Sequence, residues 1–96
     1  MNLTKKELRQ KENQERLSYT LNTLESIIKN HDIRRTTRNL VKEVSDALRD
    51  EKSCSIYVRA SNAISILDSA TQNRQMESYI RTTLWQVVSA LESIRE

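Results

Sequence analysis

From Leu17 the chain reads Leu17, Leu21, Leu24, Ile28, with polar residues between. Spacings of four, three and four place these residues on one narrow face of a helix. A polar turn, "KNHD", follows, and Asp32 is the expected N-cap of the next helix. That second helix carries Val41, Val44 and Leu48, with Leu40 and Ala47 at its flanks. "RDEKSCS" makes the second turn, with Ser53 or Ser55 as cap. A third stripe runs through Ile56, Ala60, Ala63, Ile66, Leu67 and Ala70, and "TQNRQ" closes it. The fourth runs through Ile80, Leu84, Trp85, Val87, Val88, Leu91 and Ile94. Connections this short fit an up-and-down all-α fold, either a four-helix bundle or two stacked helical hairpins. Residues 1–15 have only Leu3 and Leu8 as large apolar groups, so they read as a polar extension, helical or disordered, ahead of a single domain over 16–96.

Composition supports this reading. The 96 residues include no glycine and no proline, so the main helix breakers and hairpin formers are absent. Apolar content of 36% against 30% charged implies a modest core under a charged surface. No apolar run approaches a bilayer span, and "MNLTKKELRQKENQER" has no apolar signal core, so the expectation is a cytoplasmic protein. The net charge of +3 permits nucleic-acid binding without demanding it.

Arg38, Arg59 and Arg81 stand 21 and 22 residues apart, each at the start of an apolar pattern. Their burial differs on a helical wheel. Arg59 lies roughly 50° from the centre of its helix's apolar face, Arg81 roughly 70°, and Arg38 more than about 100°. A core-facing arginine needs a carboxylate or several carbonyl oxygens. The C-terminal end of a neighbouring helix supplies free carbonyls, and Asp46, Asp50, Glu51 and Asp68 are the alternative carboxylates. Arg59 and Arg81 are therefore expected to be structural, the alternative being an anion site for phosphate or a partner's carboxylate, while Arg38 is expected to be mostly solvated.

Catalytic signatures are missing. One histidine, His31, and one cysteine, Cys54, fall in separate turns, and nothing in their spacing supports a nucleophile–base pair. A metal centre needs three or four spaced ligands, and a phosphate-cradling loop needs glycine. The expectation is a non-enzyme with no catalytic, cofactor or metal residues. Two binding surfaces are candidates. Lys29, His31, Arg34, Arg35, Arg38 and Lys42 crowd a turn and a helix start with Asp32 as the only acid among them, which suits nucleic-acid phosphates or another anion. The plainer reading is a solvated charged turn, because no aromatic residue accompanies the cluster in the sequence. The second surface uses Leu17, Leu21, Leu24 and Trp85 as an interface for a protein partner or a second copy. A helical binding or assembly module is the main reading and nucleic-acid association the alternative. No small-molecule substrate and no membrane partner is implied.

The stretches "YVRASNAISILDSA" and "RTTLWQVVSALESI" resemble parts of a small archaeal family of uncharacterised proteins, uncharacterised protein family 0147. The likeness is carried by Val58-Arg59-Ala60, Ile64 through Leu67-Asp68, Arg81-Thr82, Trp85, Val88-Ser89 and Leu91-Glu92, and covers residues 28–96. Arg34, Arg74 and Glu77 stand where the family pattern has prolines, which marks those sites as helix starts. The resemblance implies an all-helical fold and a cytoplasmic archaeal source, and no activity. A weaker likeness links the Val-Arg helix starts to HEAT-like repeats.

Overall fold

The structure is a computed structural model that describes residues 2–95. Four helices follow one another: α1 (Lys5–Ile28), α2 (Arg35–Arg49), α3 (Ile56–Thr71) and α4 (Ser78–Glu92). No strand occurs among the described residues. Each helix packs on its two neighbours in chain order and α1 closes the ring against α4, giving an all-α four-helix bundle. The α1–α4 seam is the least tightly packed of the four.

Local chemistry sets the boundaries. The Thr4 hydroxyl accepts from the Glu7 amide at 3.1 Å and donates to the Glu7 carboxylate at 2.9 Å, which satisfies an orphan donor at the head of α1. Ser55 does the same for α3, accepting from the Val58 amide. Asp32 does not cap α2, contrary to the sequence expectation. The chain continues through Ile33, which is 3% exposed, and α2 begins after Arg34, which has no side-chain cap bond. The Asp32 amide instead donates to the Asn30 side chain.

That turn has a twin. Between α1 and α2, Asn30 Oδ1 accepts from Asp32 N at 3.0 Å and Asn30 O from Ile33 N at 3.2 Å. Between α3 and α4, Asn73 Oδ1 accepts from Gln75 N at 3.0 Å and Asn73 O from Met76 N at 3.2 Å. Ile33 and Met76 are the buried plugs of the two turns. The offset of 43 residues also aligns Leu24 with Leu67, Val44 with Val87, Leu48 with Leu91 and Arg38 with Arg81. The bundle is therefore two copies of one helical hairpin, and the 21–22-residue spacing is half of the true repeat. At this offset the counterpart of Arg59 is Arg16.

The core holds Leu17, Leu24, Val41, Val44, Leu48, Leu67, Leu84, Val87 and Leu91, with Ile94 sealing the end. The buried face of α1 differs from the expected stripe: Asn13, Leu17, Thr20, Leu24 and Ile27 are buried, while Leu21 and Ile28 pack half-buried at its edge. Asn13 is held because its side-chain amide donates to the Arg95 carbonyl and its carbonyl accepts from the Arg95 amide. α1 runs without a break through Glu15 and Arg16. Its 24 residues span about 36 Å at 1.5 Å per residue, against about 23 Å for its neighbours, so its first turns, exposed from Lys5 to Glu12, overhang the bundle.

Candidate functional site

The hairpin repeat puts the α1–α2 and α3–α4 turns at one end of the bundle. Arg34 ties them, its Nη1 donating to the Gln75 carbonyl at 3.1 Å. Glu77 bridges from the other side, accepting from the Thr37 hydroxyl at 3.4 Å and, at the limit of hydrogen bonding, from the Arg34 amide at 3.5 Å. Its own backbone amide holds the Glu77 carboxyl below its ordinary value of 4.5, partial desolvation opposes this, and the Arg34 amide, the Thr37 hydroxyl and the Arg34 charge add to the lowering.

The basic cluster gathers at this end, but its members have different surroundings. Lys29 pairs with Glu25 one turn back at 3.7 Å, an exposed contact of small energetic weight. Arg38 is half-buried rather than solvated. Its Nε donates to the Ile33 carbonyl at 3.0 Å and its Nη1 meets His31 Nδ1 at 3.3 Å. The wheel could not show this, because the turn folds Ile33 under the helix and brings a carbonyl within the guanidinium's reach. Arg35 and Lys42 are exposed and make no hydrogen bond or ion pair among the described residues.

Two further arginines close helix ends. Arg59 is 7% exposed, and its Nη1 donates at 2.9 Å to the Leu48 carbonyl, one of the carbonyls that the α2 ladder leaves open. Its Nε is buried without a partner among the described residues. Arg81 donates from Nε to Thr71 O at 3.0 Å and from Nη2 to Asn73 O at 2.7 Å, closing the end of α3. Neither uses a carboxylate. The C-terminal carbonyls carry partial negative charge and supply the compensation.

Of the four residues named for an interface, Leu17 and Leu24 lie inside the core, Leu21 is half-buried at its edge, and Trp85 is 56% exposed. Trp85 shares its helix face with Val88, one turn on and half-buried. Sequence reasoning named neither Tyr19 nor Tyr79 as a site residue; they are 50% and 58% exposed and line one groove of about 500 Å³ between α1 and α4. It also left Arg74 out of the basic cluster, although the second turn adds it to the basic end; the 43-residue offset that pairs it with His31 was the available signal. Cys54 is half-buried in the α2–α3 turn. No group of three His, Cys, Asp or Glu able to hold a metal occurs among the described residues. No helix among them is long and apolar enough to cross a membrane.

This architecture has relatives. A family model for an uncharacterised protein family, UPF0147, matches residues 4–94. The chain belongs to the UPF0147 family. A UPF0147 protein of Metallosphaera sedula is 46% identical over 61 residues, 62% of this chain and 68% of the relative. One from Aeropyrum pernix is 34% identical over 85 residues, 88% of this chain and 92% of the relative. The crystal structure of the unknown-function protein MMP1188 superimposes with a TM-score of 0.79 at 25% identity, over 100% of this chain and 99% of that one. The UPF0147 description assigns no activity, so function has to be argued from the surfaces above.

Proposed function

We propose that this UPF0147 protein is a non-catalytic, cytoplasmic helical binding or assembly module, and that it self-associates through the outer face of α4 around Trp85. The carrying observation is the exposure of Trp85, 56% on a bundle whose core closes without it. Complete burial of an aromatic side chain removes about 150–250 Å² from water; more than half of Trp85 is still open for an interface to cover, and tryptophan is among the residues that dominate interface energetics. Val88 beside it extends the apolar spot. The overhanging first turns of α1, within residues 1–15, act in this reading as an extension of the 16–96 body.

The chain has one tryptophan, so its emission reports this surface alone. Analytical ultracentrifugation across the micromolar range should show a dimer that Trp85→Ala abolishes, with wild-type emission shifting to the blue as the dimer forms. A protein that stays monomeric with unshifted emission contradicts self-association at this face.

A further inference from the structure

We propose that the α1–α4 groove and the adjoining basic end of the bundle form a binding site for single-stranded RNA. Charge is the first observation. The segments 29–38 and 72–81 bring together Lys29, Arg34, Arg35, Arg38, Arg74 and Arg81 with only Asp32 and Glu77 as acids, so they carry +4, more than the +3 of the whole chain. Arg34, Arg38 and Arg81 are engaged with protein carbonyls. Arg35 and Arg74 are exposed with no side-chain partner among the described residues, and Lys29 is exposed with one weak contact to Glu25, so these are the side chains placed to meet phosphates.

The second observation is the company this charge keeps. In the sequence the basic run has no aromatic residue, but the fold supplies one from the other hairpin. Tyr79, on the first turn of α4, and Tyr19, on α1, wall the same groove, and Asn30 and Ile33 of the basic turn also line it. Tyr79 is more than half exposed and Tyr19 half exposed, and neither residue belongs to the core. Exposed aromatic rings beside a cationic rim are the arrangement that holds unpaired bases, which stack on the rings while the rim follows the backbone. A duplex keeps its base faces stacked inside and offers nothing to these rings.

The third observation concerns the sugar. Asn22 and Ser26 line the groove on α1 and are exposed, and their side chains make no hydrogen bond among the described residues. They present donors and acceptors along the path between the two tyrosines. A 2′-hydroxyl both donates and accepts, and it is the group that separates RNA from DNA.

The test is fluorescence anisotropy of a dye-labelled ten-nucleotide single-stranded RNA titrated with the full chain, first at about 50 mM salt and then at rising salt. The same sequence as single-stranded DNA and as duplex RNA gives the comparison arms. The single-stranded RNA should bind tightest. The double variant Tyr19→Ala/Tyr79→Ala should weaken it about tenfold or more. Lys29→Ala/Arg35→Ala should weaken it and flatten the salt dependence by about one to two units of slope. Trp85→Ala should leave it unchanged, which separates this site from the self-association surface. Circular dichroism confirms that each variant keeps its helices. No binding by the wild type at low salt overturns the proposal. So does DNA or duplex RNA bound as tightly as the single-stranded RNA, or a folded tyrosine variant that binds like the wild type.

Discussion

In the first hairpin Arg16 is half-buried, its Nη1 3.6 Å from a Glu12 carboxylate oxygen. Forty-three residues later, at the same register, Arg59 is buried and holds the open end of α2. The two halves share turn geometry, core spacing and helix order, yet this one guanidinium does unrelated work in each. The difference follows from what each helix start meets. Arg59 stands in the first turn of α3, directly after the α2–α3 connection, so the last carbonyls of α2 are within its reach. Arg16 sits eleven residues into α1, away from the helix's first turn, and among the described residues its side chain meets Glu12 rather than a helix-end carbonyl. Chain position, and not the local motif, decides whether the arginine is architectural.

The symmetric part of the comparison carries the largest expected effects. Leu24 and Leu67 are equivalent, and both are fully buried. Leu24→Ala and Leu67→Ala should each cost about 2–5 kcal/mol in chemical denaturation, from lost transfer energy and the cavity left behind. Costs that differ by more than about 2 kcal/mol would break the equivalence of the two cores.

Smaller effects are expected at the paired arginines of α2 and α4. Arg81 holds two carbonyls of the preceding helix end and turn, whereas Arg38 holds one carbonyl of its own turn. Arg81→Met should cost about 1–2 kcal/mol and Arg38→Met about 0.5–1 kcal/mol, since both sites are partly solvated. Reversal of that order in thermal melts would show that the extra carbonyl contributes nothing.

The smallest effect lies at the asymmetric helix starts, Arg34 and Glu77. The folded state lowers the Glu77 carboxyl below its ordinary 4.5. Its contribution is therefore complete above the unfolded value and is lost as pH falls through the folded one. Glu77→Gln should be less stable than wild type at neutral pH, and the gap should narrow on acidification below about pH 4.5. A gap constant from pH 7 to pH 3 would remove the carboxylate from the account.

The helices were legible because the four apolar patterns are regular and no glycine or proline interrupts them. The burial of Arg59 followed from its wheel angle, and Ser55 was among the expected caps. Asp32 misled because acid-before-helix is a local signal, and the tertiary need to bury Ile33 moved the helix start to Arg35. Arg38 was placed outside for the same reason: its partner carbonyl exists only once that turn is folded. The groove was illegible because Tyr19 and Tyr79 are sixty residues apart and meet only when α1 closes against α4. The 43-residue repeat was masked by the match of Arg38, Arg59 and Arg81, which mixes the two helix types of the hairpin.

Thermal melts of Arg16→Met and Arg59→Met, run side by side, test the claim that one register serves two roles. Methionine keeps much of the length and removes the charge and the donors. Arg59→Met should lose about 2 kcal/mol, the worth of a buried charge-assisted hydrogen bond, which lowers Tm by about 8–16 °C for a chain of this size. Arg16→Met should move Tm by no more than about 4 °C, as for other partly solvated i,i+4 ion pairs. Equal shifts, or a Tm raised by Arg59→Met, would contradict the account and show that the buried guanidinium is a burden on the core and not its fastening.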